Sequence, residues 1–274
     1  MRKSNFTESL KRGIKHWAAR RNRRRALLVL TSITAVKLAA VLLLLGSCSL
    51  LRASHVQPTT AKSSPTSSQN VLLGEVTRGP SGKREIALTF DGGAEAECFE
   101  DLITALANAH VQSTFFITGR FTHEHPDCAA EITKRGHEIG NHTWSHLNLT
   151  QQSDDVVRDE ITRAERAILQ VSGQDPKPRW RAPYGARDER VLKIATKLGY
   201  RSIYWTIDSL DGVEPKKNPQ FLIDRITSKT DAELDGAIIL MHVGERSTAD
   251  ALPAIISNLQ ARDFHLVTIS TLLR

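Results

Sequence analysis

Asp91, His142, His146, Arg181, Asp211 and His242 are the residues whose types suit metal-assisted hydrolysis. Neutral imidazoles bind zinc, a carboxylate accepts a proton from attacking water, and a further histidine returns one to the leaving group. His142 and His146 stand four apart in Asn141-His-Thr-Trp-Ser-His146, a spacing that on a helical turn puts both rings on one side. Asp91 follows the apolar run Ile86–Phe90, and His242 closes Ile238-Ile-Leu-Met-His242. Arg181 follows Trp180, and Asp211 comes shortly after the run Ser202–Trp205. Singly, each has an ordinary reading: a helix cap for Asp91, a core histidine for His242, a structural ion pair for Arg181. An H-x-x-x-H in a chain with ten histidines is weak by itself. The common feature is that each residue stands at the end of a strand-like run.

The elements that must position them alternate in type. Strands are expected at Glu85–Phe90 and Thr114–Thr118, then at Glu138–Asn141, and near Trp180, Tyr204, Ile239 and Val267. Helices are expected at Glu97–Ala109, Asp127–Arg135, Asp154–Val171, Asp188–Leu198, Asn218–Ser228 and Thr248–Ala261. In the third helix Val157, Ile161, Ala164, Ile168 and Val171 fall on one face, with Ser153 placed as N-cap. Such βα alternation makes an α/β protein with a parallel sheet or barrel, whose functional groups gather at the C-terminal strand ends.

The net charge of +7 misleads as a property of the whole chain. Residues 1–52 hold twelve Lys and Arg against Glu8 alone, a net of +11, so the remainder carries −4. That balance excludes nucleic acid as a partner chosen by charge. The basic residues 1–25 precede the one long apolar stretch, residues 26–51, interrupted by Lys37. A central lysine costs about 3 kcal/mol, and the Leu, Ile and Val residues there return about −6. At 1.5 Å per residue the stretch spans about 39 Å, more than a bilayer core requires. A single-pass anchor is expected, with the N-terminus cytoplasmic beside Arg20–Arg25 and the following domain exported to the outer face of the cell membrane. Leu45-Gly46-Ser47-Cys48 also resembles a lipobox, so a lipoprotein acylated at Cys48, or a cleaved signal, remains an alternative. Residues 52–82, rich in Ser, Thr, Pro and Gln, read as a flexible tether ahead of a domain at 83–274. Cys98 and Cys128 are the cysteines of the exported part, open to a disulfide or to separate packing.

Together and in order, the chemical residues resemble the polysaccharide deacetylases of the NodB-homology type, carbohydrate esterase family 4, over about Lys83–Arg274. Thr89-Phe-Asp91-Gly92-Gly93 is similar to the family's T-F-D-D-G motif, and His142-Thr-Trp-Ser-His146 meets H-[ST]-x-x-H in full. Arg181-Ala-Pro183-Tyr184 meets R-x-P-Y. Asp208-Ser-Leu-Asp211-Gly212 meets D-x-x-D-W except at its last place, and Leu240-Met-His242 meets L-x-H.

The resemblance implies a distorted (β/α) barrel and hydrolysis of an N-acetyl amide. It implies Asp91 as base, His142 and His146 as ligands of Zn²⁺ or another divalent ion such as Co²⁺, and Arg181 as the partner that orients Asp91. The backbone N–H of Tyr184 is implied as oxyanion donor, and His242 as acid with Asp211 behind it. The substrate implied is an N-acetylhexosamine polymer, and for a tethered protein peptidoglycan is the nearest.

Two positions depart from the pattern. Gly92 stands where the family has a metal-binding aspartate, although a catalytic zinc ordinarily has three protein ligands. Three outcomes stay open: water fills the gap, Glu95 or Glu97 replaces the ligand, or the protein binds glycan without turnover. Gly212 removes a tryptophan from the cleft wall, and Trp144 and Trp180 are candidates for a sugar-stacking face.

Overall fold

In the computed structural model, residues 74–274 are described. β-Branched and aromatic runs become short buried strands, and each is followed by an amphipathic helix that covers the sheet's outer face. In chain order the first part comprises β1 (Glu85–Gly92), α1 (Phe99–Asn108), β2 (Thr114–Ile117), α2 (Gly119–Glu124), α3 (Pro126–Lys134) and β3 (Glu138–Asn141). Then come α4 (Asp154–Ser172), β4 (Arg179–Trp180), α5 (Glu189–Lys197), β5 (Arg201–Ser202), β6 (Ile207–Asp208) and α6 (Pro219–Thr227). The chain ends with α7 (Asp231–Leu234), β7 (Ile238–His242), α8 (Arg246–Ala261), β8 (His265–Leu266) and α9 (Ile269–Leu272).

The strands pair in parallel in the order β5-β4-β3-β2-β1-β7-β6, with β8 joined to the start of β1. The sheet curves into a barrel left open between β5 and β6. Six expected helices are present with ends shifted by a residue or two, and Ser153 does cap α4 by accepting from the Val156 N–H. Helix α2 was not foreseen. Thr118 caps it, and its first residue is Gly119, where a Cβ would come within 2.2 Å of the Trp144 ring. The expected strand Ser202–Trp205 stops at Ser202 apart from one bridge at Ile203, and Tyr204–Trp205 run on as loop.

The N-terminal boundary also moves. Residues 74–82, read as tether, belong to the fold. Val76 is buried and bridges in parallel to Ile203, receiving the Tyr204 N–H on its carbonyl at 2.7 Å and donating to Ser202 at 2.8 Å. The Thr77 carbonyl accepts from Thr206 Oγ1, and Gly79 N–H donates to the Gly236 carbonyl. The segment therefore lies along the open edge of β5 and satisfies backbone groups that a parallel sheet leaves bare where it fails to close. Glu75, with its side chain fully buried, makes a two-pronged ion pair with Arg187 at 2.7 and 3.1 Å.

Residues 26–51 and Cys48 lie outside the described residues. Among the described residues no helix is long and apolar enough to cross a membrane. Cys98 and Cys128 are both free thiols, the first buried and the second half-buried.

Removing residues 74–82 strips Arg187 of its buried partner and uncovers the Ile203 edge. A chain starting at Lys83 should lose at least about 3 kcal/mol against one starting at Gly74, measured by urea unfolding. Equal stability of the two would show that the segment is dispensable.

Candidate active site

Parallel register decides which residues meet. Asp91 pairs with His242 across β1 and β7, and Asn141 with Trp180 across β3 and β4. Adjacent strands lie about 4.8 Å apart, so side chains at neighbouring C-terminal ends share one cleft. A cavity of about 360 Å³ opens there, lined by Asp91, His142, His146, Tyr184, Trp205 and His242 among others.

Arg181 is fully buried beneath the cleft. Its Nη1 donates to Asp91 Oδ1 at 2.7 Å and to Thr89 Oγ1 at 2.9 Å. Its Nε donates to the Ile203 carbonyl at 3.0 Å, and Nη2 to that of Tyr204 at 3.3 Å. One guanidinium thus fixes the Asp91 carboxylate and the loop after β5 together.

The two histidines of the second motif are brought together by a turn rather than by a helical turn as expected. Thr143 and His146 adopt left-handed backbone, φ +67° and +62°. The turn is held by Glu160 on α4: its carboxylate accepts from the Trp144 N–H (3.1 Å), the Ser145 N–H (2.8 Å) and Ser145 Oγ (2.7 Å). Asn141 adds a bond from the Thr143 N–H to its Oδ1 at 2.8 Å. Glu160 was missed, although a signal existed: a carboxylate next to Ile161 on the buried stripe of α4 needs a polar partner inside.

The imidazole of His142 bonds the Arg181 carbonyl through Nδ1 at 2.9 Å. A carbonyl only accepts, so Nδ1 carries the proton and the Nε2 lone pair is free, 3.5 Å from Asp91 Oδ2. The His146 ring lies 4.9 Å from that of His142, centroid to centroid. Burial pushes His142 below the ordinary imidazole range against the pull of Asp91. Burial and the neighbouring His142 take His146 down to about 4. Both rings are therefore neutral at pH 7, the form that ligates metals.

Across the cleft, His242 Nδ1 meets Asp211 Oδ1 at 2.7 Å, and its backbone N–H donates to Oδ2 at 2.7 Å. Asp211 is fully buried and also accepts from Gly212 N–H and Thr248 Oγ1. Burial works against a charged His242, but the hydrogen bond and charge of Asp211, with Asp91 and Asp208 beyond, outweigh it and raise its pKa to about 9. Burial likewise opposes the Asp211 carboxylate, and its bonds to His242 and Thr248 still hold its pKa below the usual value.

Tyr184 sits in left-handed backbone (φ +59°) on the 3-10 turn Pro183–Gly185. The residue is 71% exposed, and its ring packs edge-on to His146 at 4.5 Å. The tryptophans divide differently from expectation. Trp180 is fully buried among Leu149, Val157 and Val191. Trp144 packs on Gly119 and carries Arg163 over its ring at 3.9 Å, so neither is free to receive a sugar. Trp205, not singled out from the sequence, is the one that lines the cleft. A Cβ at Gly212 would stand 2.9 Å from the His242 ring, so the side chain missing there leaves room for that imidazole.

The donor set falls one protein ligand short of an ordinary catalytic zinc site. Among the described residues, no three of His, Cys, Asp and Glu are grouped to hold an ion. A Cβ on Gly92 would meet Ile117, Val243 and Phe121 at 3.2, 3.4 and 3.5 Å, an apolar cradle. Glu95 lines the cleft beside Gly244, whereas Glu97 does not reach it.

Comparison with known proteins agrees with this geometry. Residues 78–203 match the family model described as polysaccharide deacetylase. A chitooligosaccharide deacetylase of Bradyrhizobium sp. is 34% identical, over 68% of this chain and 89% of that protein. The chain belongs to the polysaccharide deacetylase family. The deacetylases of this family hydrolyse amide bonds and in general depend on a metal. A peptidoglycan-N-acetylglucosamine deacetylase of Bacillus cereus is 33% identical, over 71% of this chain and 70% of that protein. Among solved structures, a wild-type CE4 pseudoenzyme from Bacillus anthracis superposes with TM-score 0.68 at 30% identity, covering 73% of this chain and 69% of that one. A mutant of that pseudoenzyme with restored enzymatic activity superposes equally well.

The pair His242–Asp211 carries a pH signature. Because the folded pKa of His242 lies above the unfolded value of 6.5, its contribution to stability is complete below about pH 6.5 and is lost as pH rises through about 9. A side chain 36% open to solvent discounts that contribution to about 1 kcal/mol. Titration of the His242 ring by NMR should give a pKa near 9, falling by more than about one unit in Asp211→Asn. A value at or below 6.5 in the natural chain refutes the assignment.

Proposed function

We propose that this chain is a deacetylase of cell-envelope glycan that hydrolyses the N-acetyl amide of a β-linked N-acetylhexosamine unit, with peptidoglycan as the polymer. The observation that carries the reading is the pairing of two carboxylate–cation couples across one cleft: Asp91 with Arg181, and Asp211 with His242. A base and an acid held on adjacent strands, facing the same space, are what amide hydrolysis needs and what a passive binder does not.

In this reading Asp91 accepts a proton as water adds to the amide carbonyl, while Arg181 holds the carboxylate in place. The oxygen of the tetrahedral adduct gains charge and meets the backbone N–H of Tyr184. His242, charged at neutral pH through Asp211, gives its proton to the departing sugar nitrogen. The C–N bond breaks, and acetate and a glucosamine unit leave. The exposed ring of Tyr184 and the open cleft suit a chain rather than a small buried ligand. The N-terminal basic and apolar sequence supports a membrane-tethered domain on the outer face of the cell membrane.

A second reading, glycan binding with little or no turnover, is favoured by Gly92 and by the likeness to a CE4 pseudoenzyme. In either reading His142 and His146 would hold a divalent ion such as Zn²⁺ weakly, with no third protein ligand at Gly92.

Acetate release from peptidoglycan and N-acetylglucosamine oligomers separates the two. The natural chain should release acetate, and Asp91→Asn should lower the rate at least about 100-fold while leaving thermal unfolding within a few degrees. Release by Asp91→Asn at the natural rate removes Asp91 as base. Gly92→Asp should tighten Zn²⁺ binding at least about tenfold by calorimetry, through a third ligand. Release by Gly92→Asp alone establishes the second reading.

A further inference from the structure

The segment that leads into the barrel reaches the cleft through a stack of side chains. Glu75 pairs by both carboxylate oxygens with Arg187, and its Oε1 accepts from Ser202 Oγ at 3.2 Å. The Arg187 guanidinium lies 3.7 Å from the centroid of the Tyr204 ring. The Trp205 ring lies 3.8 Å from the same centroid, inclined by 16°. Two groups this close to one ring cannot share a face, so Tyr204 is sandwiched between arginine and tryptophan. The order is therefore Glu75, Arg187, Tyr204, Trp205, cleft.

Three further contacts fix the end of this stack. The Val76 carbonyl takes the Tyr204 N–H, and the Thr77 carbonyl takes the Thr206 hydroxyl, so the residues on both sides of Trp205 are tied to the incoming segment. Arg181 holds the carbonyls of Ile203 and Tyr204 from below while bonded to Asp91. Gly185 closes the side. A Cβ there would fall within 2.7 Å of both the Tyr204 and Trp205 rings, so only glycine admits this approach. One face of Trp205 is covered by Tyr204, and the residue itself lines the cleft with Tyr184 and His242.

The geometry points to Trp205 as the face on which a pyranose ring of the glycan stacks, and to Glu75 as the positioning residue that sets where that face stands. The glycan chemistry rests on the proposed deacetylase reading; the stack itself does not. A pyranose presents axial C–H groups on one side, and an indole held rigidly at a cleft mouth gives them apolar area at little entropic cost. The tether end would then be part of the glycan site: the residue at which the chain enters the barrel orients the wall that meets the polymer. It also gives this chain an aromatic wall, on the β5 loop, although Gly212 offers none.

The test uses the full chain in detergent, with the N-acetylglucosamine tetramer as probe and calorimetry as readout. Trp205→Ala should weaken binding about tenfold, with Trp205→Phe between it and the natural chain. Glu75→Gln should weaken binding about threefold or more, raise KM more than it lowers kcat, and red-shift the emission assigned to Trp205 by subtraction of Trp205→Phe. Arg187→Lys, which keeps the charge but loses the planar stack, should match Glu75→Gln and guards against a folding defect in either. The deciding result is the double variant. Glu75→Gln added to Trp205→Ala should change Kd less than about twofold, because its effect passes through the indole. Additive losses, unaltered binding by Trp205→Ala, or a natural chain that does not bind the tetramer overturn the inference. Acetate release, measured in parallel, reports on the deacetylase reading separately: binding changes as stated without acetate uphold the stack and remove the reaction.

Discussion

A fully buried guanidinium is the constraint on which the rest of this structure depends. Arg181 has no solvent to hydrate it, so its donors must find acceptors inside, and an unpaired charge there costs several kcal/mol. It finds Asp91, Thr89 and two carbonyls of the loop after β5, with Phe116 under its plane at 4.1 Å. Those partners come from β1, β2 and the end of β5. The arginine therefore fixes their mutual positions, and through its own carbonyl it sets the tautomer of His142. A site built this way is preorganised because moving any one partner leaves a charge unsatisfied.

The barrel's failure to close has a related consequence. Between β5 and β6 the sheet has an edge, and the chain that enters the domain lies along it. Covering an edge with a neighbouring segment is an economical way to pair its backbone. Here the covering segment also brings Glu75, and the buried carboxylate reaches through Arg187 and Tyr204 to the cleft wall. Structural closure and cleft geometry thus rest on the same few residues.

Around the cleft the backbone is held in costly conformations. Of the seven non-glycine residues with positive φ among the described residues, His146 and Tyr184 line the cleft, and Thr143 and Leu210 lie beside His142 and Asp211. Each costs on the order of 1 kcal/mol, and compensating bonds such as those of Glu160 and Asn141 keep them so. That outlay is consistent with a site shaped for function. At Gly92 a Cβ would meet an apolar cradle of Ile117, Val243 and Phe121.

The sequence by itself determined the alternation of strands and helices, the cap at Ser153, and the six ionisable residues at strand ends. These are local properties: periodicity, capping chemistry and the types of side chain that close an apolar run. It also carried the ordered motifs and both departures from them. Only the tertiary structure decided that residues 74–82 belong to the fold, because Ser, Thr and Pro composition says nothing about an open sheet edge elsewhere in the chain. Only it showed that the H-x-x-x-H segment is a left-handed turn tied to Glu160, since that carboxylate is fourteen places beyond His146. The fates of the tryptophans were likewise beyond local pattern. Trp180, Trp144 and Trp205 have the same side chain, and whether each is buried, sandwiched or open to the cleft depends on what packs against it across the barrel. Proximity in space between residues distant in the chain is the one thing sequence spacing does not encode.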